Sequence, residues 1–249
     1  GRHMTIRYDD KVALVTGAGG GLGRSHAIEL AKRGAKVIVN DLGGSVSGEG
    51  ANSQASLDVV AEIEALGGEA MAHGANVADL EQVQDMVAQT MERWGRLDIL
   101  VNNAGIASRG RSVVDTDPEE MRRVVATHAF GPHYLAALTL PKMRTLDRGD
   151  IVMISSVASR SLGPNGAPYN MGKTAMEALA YTLAKEEREH GIRVNIVAPG
   201  LVDTDMGQRL IKAVQGVEDI RSLDQSMPFG RVCQPEDVAN VVRFLVSDE

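Results

Sequence analysis

The sequence predicts an α/β fold: a single doubly wound parallel sheet of the Rossmann type, with helices on both faces. Three observations carry that prediction. Short apolar runs alternate with helical patterns along the whole chain, the first run opens into a glycine-rich turn, and 249 residues, 43% of them hydrophobic, can bury one large core. Repeated β–α units require right-handed crossovers, which make the strands parallel and put helices on both faces.

Residues 12–16 form an apolar run closed by glycines, read as a strand buried on both faces, and residues 22–33 then take helical spacing. Further strands are predicted near 37–40, 70–73, 97–101, 151–155 and 194–197, and helices near 56–66, 80–94, 118–143, 167–190 and 235–247. Two stretches read as loops, 42–52 and 203–234, the second with short helices around 209–214 and the length of a functional lid. The chain stops at Glu249 just after a helix, so a final edge strand is missing, and the end is read as a truncation. Residues 1–4 read as a remnant of tag cleavage, which sets His3 aside. Residues 5–249 are then expected to be one dinucleotide-binding and catalytic domain, with a substrate loop at about 203–234.

The net charge of −7 and the lack of any Lys/Arg-rich run argue against nucleic acid or an anionic membrane as partner and favour a small metabolite. The single cysteine, Cys233, excludes an internal disulfide and a cysteine-based zinc cluster and suits a reducing cytosol. No stretch approaches the roughly 20 apolar residues of a membrane span, and no signal-like N-terminus is seen, so a cytoplasmic protein is expected. His26, His73, His133 and His190 are scattered without metal-ligand spacing, and no metal is expected.

Between the first strand and helix, Gly17, Gly21, Leu22 and Gly23 form a turn whose unpaired amides can face a pyrophosphate. Asp41 follows the second strand, placed to accept hydrogen bonds from both hydroxyls of an adenosine ribose. A 2′-phosphate about 4 Å away would be repelled by roughly 4 kcal/mol at an effective dielectric near 20, with no neighbouring cation to offset it. NAD is therefore favoured over NADP as cofactor. The alternative is that Asp41 only caps a turn with Gly43 and Gly44.

Tyr169 and Lys173, four apart at the start of a helical pattern, lie on one face, and Ser156 at the end of the preceding strand can join them. A tyrosine is too weakly acidic to give a phenolate readily at neutral pH. A nearby Lys⁺ and a cationic nicotinamide are expected to favour the charged form.

Taken together, the glycine turn, Asn102-Asn103-Ala104-Gly105 after the fourth strand, Ser156 thirteen residues before Tyr169, Lys173, and Pro199-Gly200 with Thr204 resemble the short-chain dehydrogenase/reductase family over essentially the whole chain. The resemblance implies that Tyr169 donates or accepts a proton, that Ser156 positions a carbonyl oxygen, and that Lys173 holds the nicotinamide ribose. It also implies that Asn103, Ala104 and Gly105 flank the cofactor and that Thr204 contacts its carboxamide. Asn76, Val77, Pro199 and Gly200 complete the expected cofactor-binding set. The family's usual helical Asn, which supports a water chain to the lysine, is replaced by His128, a relay residue or a packed helix histidine. The N-terminal half, including residues 39–44 and the long insertion after them, is nearest to the (3R)-hydroxyacyl-CoA dehydrogenase domain of type-two multifunctional enzymes.

The expected activity is hydride transfer between NAD(H) and a secondary alcohol or ketone, possible substrates being a (3R)-hydroxyacyl thioester or a hydroxysteroid. A non-catalytic NAD(H) sensor and an assembly subunit are the alternatives, and a homotetramer or homodimer is expected. Met206, Leu210, Ile211, Val214, Met227 and Phe229 read as core or as the wall of an apolar cavity. Trp94 reads as packing.

Overall fold

In the computed structural model, which describes residues 5–42 and 53–249, strand and helix alternate as the apolar pattern requires. The strands are β1 (Val12–Val15), β2 (Lys36–Asn40), β3 (Ala70–His73), β4 (Ile99–Asn102), β5 (Gly149–Ile154) and β6 (Ile192–Val197). They form one parallel sheet in the order β3-β2-β1-β4-β5-β6. The order reverses between β1 and β4, and the crevice beyond the carboxyl ends of those strands is where such sheets receive ligands.

The helices are α1 (Gly21–Lys32), α2 (Gln54–Ala65), α3 (Leu80–Trp94), α4 (Pro118–Val125), α5 (Gly131–Met143), α6 (Ala158–Ser161), α7 (Ala167–Glu187), α8 (Asp205–Gln215) and α9 (Pro235–Leu245). Alternate residues of β1 serve opposite layers. Val12 and Leu14 pack with Val83 and Met86 of α3, Leu135 of α5 and Met176 of α7. Ala13 and Val15 pack with Leu30 of α1, Ile63 of α2 and Val242 of α9. Both faces of the central strands β1, β2, β4 and β5 are thus dry, while the edge strands β3 and β6 are partly exposed.

The structure departs from the sequence reading in four places. The helix expected over 118–143 is interrupted by a π-helical turn, Ala126–Phe130, between α4 and α5. The helix expected to reach residue 190 ends at Glu187 in a 3₁₀ turn, Arg188–His190, closed by Gly191 at φ +74°. In the stretch 203–234 the helix expected around 209–214 is present as the longer α8, and a 3₁₀ segment, Ile220–Ser226, stands where loop was expected. The short α6 had no periodic signal, being only four residues long. No strand follows α9 among the described residues, so the sheet ends at β6. The tag-remnant reading of residues 1–4 and most of the loop at 42–52 lie outside the described residues. Among the described residues, no helix is long and apolar enough to cross a membrane.

Candidate active site

The glycine turn is tied to the loop after β4 by one buried hydroxyl. Thr16 Oγ1 accepts the backbone N–H groups of Asn103 at 3.0 Å and Ala104 at 2.9 Å, and the Asn103 side chain donates to the Gly17 carbonyl at 3.2 Å. This closeness leaves no room for side chains. A Cβ at Gly17, where φ is +61°, would lie 2.9 Å from Ala104 Cα, and one at Gly23 would collide with the Gly17 carbonyl oxygen. Leu22 faces the layer of α1 and packs against the core. No side chain caps the start of α1, so its first N–H groups remain available to an anion.

Asp41 leaves the end of β2 with its amide donating to the His73 carbonyl at 3.2 Å, and its carboxylate lies against Gly19. Asn76 and Val77 stand after β3. The Asn76 side chain accepts the Ala78 amide at 3.0 Å, and Val77 is buried against Gly131. Beyond β6, the Pro199 carbonyl accepts the Val157 amide at 3.3 Å, and Gly200 follows it. Thr204 caps α8 through the Gly207 amide, and its methyl would lie 3.7 Å from a Cβ at Gly21, so it stands over the glycine turn. The expected cofactor-binding residues therefore all follow the carboxyl ends of strands, β1, β2, β3, β4 and β6.

Ser156 lies two residues past β5, Tyr169 in the first turn of α7 and Lys173 one turn further on. Ser156 Oγ accepts the Ala158 amide at 3.1 Å, which fixes it, and the hydroxyl is near enough to Tyr169 to pull the phenol pKa downward. Lys173 is buried, donates from Nζ to the Ile154 carbonyl at 2.8 Å, and stands 5.8 Å from the Tyr169 ring centroid. Burial pushes the Lys173 ammonium down to about 7, against the opposing pull of Glu177.

Burial also holds the Tyr169 phenol above its ordinary value, and only the Ser156 hydrogen bond works the other way. Sequence reasoning expected the phenolate to be favoured by Lys⁺ and a cationic nicotinamide together. In the protein alone, desolvation outweighs the Ser156 contribution.

His128 sits in the π-turn, 1% exposed, with its ring edge-on to Tyr169 at a centroid distance of 5.2 Å. It fills space that two glycines leave: a Cβ at Gly105 would lie 2.6 Å from His128 Cε1, and one at Gly172 2.9 Å from His128 Cβ. Nε2 lies 2.8 Å from the Ile106 carbonyl and 3.2 Å from the Ile106 amide. The shorter contact puts the proton on Nε2 and leaves Nδ1 a buried acceptor without a partner among the described residues. Burial and the Lys173 charge push this imidazole down to about 3, so it is neutral at any working pH.

Sequence reasoning missed three contributors. Glu177, one turn past Lys173, accepts the Ser155 hydroxyl at 2.7 Å, and its charge opposes the desolvation of the lysine. Gly172 makes room for His128; a glycine inside a strong helical pattern was the available signal. Ser53, the cap of α2, reaches Asp41.

The apolar residues of the 203–234 stretch divide. Ile211 and Met227 pack inward with Ile220 and Val232. Met206, Leu210 and Val214 form an exposed stripe at i, i+4 and i+8 along α8, and Phe229 is 95% exposed. Val157 and Leu162, flanking α6, are also more than half exposed. Cys233 is half-buried with its thiol pushed up by burial, which suits an inert residue.

A parallel sheet with an uncapped glycine turn at its switch point, and a paired serine and tyrosine hydroxyl backed by a buried lysine, define a dinucleotide-dependent oxidoreductase by class. The family model described as Enoyl-(Acyl carrier protein) reductase matches residues 17–249, and the chain belongs to the short-chain dehydrogenase/reductase family of oxidoreductases. It is 43% identical over 199 residues to peroxisomal multifunctional enzyme A of Dictyostelium discoideum, matching 79% of this chain. It spans only 44% of the length of that relative. It is 36% identical over 238 residues to a 3-oxoacyl-[acyl-carrier-protein] reductase of Synechocystis, covering 96% of this chain and 90% of the relative. Among solved structures it is similar to a 7α-hydroxysteroid dehydrogenase complexed with NADH and 7-oxo glycochenodeoxycholic acid. There the TM-score is 0.83 at 33% identity, over 97% of this chain and 89% of the other.

Proposed function

We propose that the chain is an NAD(H)-dependent dehydrogenase of bulky apolar secondary alcohols, such as a (3R)-hydroxyacyl thioester or a hydroxysteroid, with residues 5–249 acting as one catalytic unit. The observation that carries this reading is the hydroxyl pair of Ser156 and Tyr169 with Lys173 buried behind it. The two hydroxyls can bond one carbonyl or alcohol oxygen, with Lys173 buried behind them.

The glycine turn and Asp41 fit a nicotinamide dinucleotide, since the turn offers free amides where a phosphate needs them and Asp41 offers acceptors where a ribose needs them. Gly17, Gly21, Leu22 and Gly23 would flank the pyrophosphate. Asp41, Asn76 and Val77 would hold the adenosine end, and Asn103, Ala104, Gly105, Pro199, Gly200 and Thr204 the nicotinamide end. Oxidised nicotinamide, when bound, supplies a hydride acceptor and a positive charge. Tyr169 takes or returns the proton at its hydroxyl oxygen, Ser156 orients the substrate oxygen, and Lys173 holds the ribose and supplies a charge next to the phenol. His128, being neutral with Nδ1 bare, serves as a hydrogen-bond acceptor on the route by which protons leave the site.

The exposed stripe of Met206, Leu210 and Val214, with Val157 and Leu162, favours a long apolar substrate, because each buried methylene contributes roughly 0.8 kcal/mol. The similarity to a multifunctional enzyme and to a hydroxysteroid dehydrogenase points the same way. Exposed Phe130, Tyr181 and Phe244 supply apolar surface for a homodimer or homotetramer, and the reading is of a cytoplasmic protein. The test is catalytic efficiency with NAD across an acyl-chain series and a polyol panel. Efficiency should climb with chain length. A flat series, or a polyol as best substrate, would refute the substrate class.

A further inference from the structure

Asp41 is held from two sides, and only one of them belongs to the glycine turn. On the inner side, a Cβ at Gly19 would lie 2.6 Å from Asp41 Cγ and Oδ2, so the carboxylate rests against bare backbone. On the outer side, the Ser53 hydroxyl donates to Asp41 Oδ2 at 2.7 Å. Ser53 is also the N-cap of α2. Its Oγ accepts the Ser56 amide at 3.0 Å, and the buried Ser56 hydroxyl donates back to the Ser53 carbonyl at 2.8 Å. The cap fixes the Ser53 rotamer and occupies a lone pair of Oγ, so the single hydroxyl proton is directed at Asp41. Among the described residues, Asp41 Oδ1 and the second lone pair of Oδ2 have no partner and are open to a ligand.

We propose that Ser53 is a positioning residue for cofactor choice: it pins the Asp41 carboxylate against Gly19 in the orientation that receives two ribose hydroxyls, and it denies Asp41 the swing that would admit a 2′-phosphate. This rests on the reading of Asp41 as the NAD-selecting group. A carboxylate free to rotate would meet the ribose less often in the bonding orientation and would yield to an anion. Held in place, it does neither. Selectivity thus depends on the first turn of α2 as well as on β2.

The experiment measures dissociation constants for NADH and NADPH by fluorescence titration, and the cofactor-free thermal midpoint, for wild type, S53A, S53T, S53D and D41A. S53A should weaken NADH roughly tenfold, the worth of one charge-assisted hydrogen bond, and should tighten NADPH as the freed carboxylate yields to the 2′-phosphate, so the preference narrows from both sides. S53T should restore it. S53D keeps a good helix cap and so the thermal midpoint, yet has no proton to donate and sets a second carboxylate beside Asp41. NADH should therefore weaken in S53D as well, although the added charge alone would do this, so the decisive variant is S53A. If S53A binds both cofactors as wild type does while D41A weakens NADH, Ser53 is a cap alone and the proposal is overturned. If D41A itself binds NADH with the wild-type constant, the reading of Asp41 fails and the proposal falls with it.

Discussion

Replacing His26 by leucine should make the protein more resistant to acid. His26 lies on the inner face of α1, three residues past Gly23 and 1% exposed, and neither ring nitrogen has a partner among the described residues. Burial without a partner pushes its pKa down to about 4 from the ordinary 6.5. The folded state therefore keeps the ring neutral, while the unfolded chain takes up a proton as the pH drops below the ordinary value. Stability tied to this group is fully present above that value and is lost as the pH falls toward 4. Near pH 5 the unfolded site is almost fully protonated and the folded site is not, a cost of about 2 kcal/mol. His128, pushed down to about 3, adds a loss of the same sign, so the quantity to read is the difference between the two proteins. Urea unfolding of cofactor-free wild type and H26L, at about pH 7.5 and about pH 5 and constant ionic strength, supplies it. H26L should lose about 2 kcal/mol less than wild type between the two conditions. Parallel losses would refute the argument, since they would mean that His26 is protonated in the fold or already neutral in the unfolded chain.

Tyr169→Phe removes the proposed proton-transfer hydroxyl and leaves the crevice intact. Turnover should fall at least ~10²-fold with NADH binding preserved, and wild-type turnover on the best substrate would exclude the assignment. His128→Asn keeps a hydrogen-bonding side chain in the π-turn, whereas His128→Leu does not. The Asn variant should retain turnover better, and equal rates in wild type and the Leu variant, measured in steady state, would reduce His128 to a packing residue.

Much of this was legible in the sequence because the fold's main signals are local. A strand buried on both faces must be apolar, so the runs of β1, β2, β4 and β5 stood out, and the turn after β1 could not tolerate side chains, so its glycines did too. Ser156, Tyr169 and Lys173 were legible through order and spacing, and the structure places them within one site. What stayed hidden depends on contacts between distant segments. The bond from Ser155 to Glu177 and the glycine pocket around His128 leave no periodic trace. The desolvation of Tyr169 was hidden for the same reason: composition and spacing show a lysine nearby but not how far the phenol is buried.

The π-turn between α4 and α5 contains one residue more per turn than the helices it joins, which rotates everything after it by roughly a quarter turn. Val124 before it and Leu135, Thr139 and Met143 after it are all buried. The residue count between these two halves is therefore itself a piece of structural information. Deleting a single residue from 126–130 would not merely shorten a helix. With the turn wound back to α, the chain would face a choice between turning the inner side of α5 to solvent and pulling position 128 away from Tyr169. Length variation in this segment should therefore be poorly tolerated even though it adds or removes no chemical group, and a scan of single deletions along α4 and α5 would show its sharpest loss there.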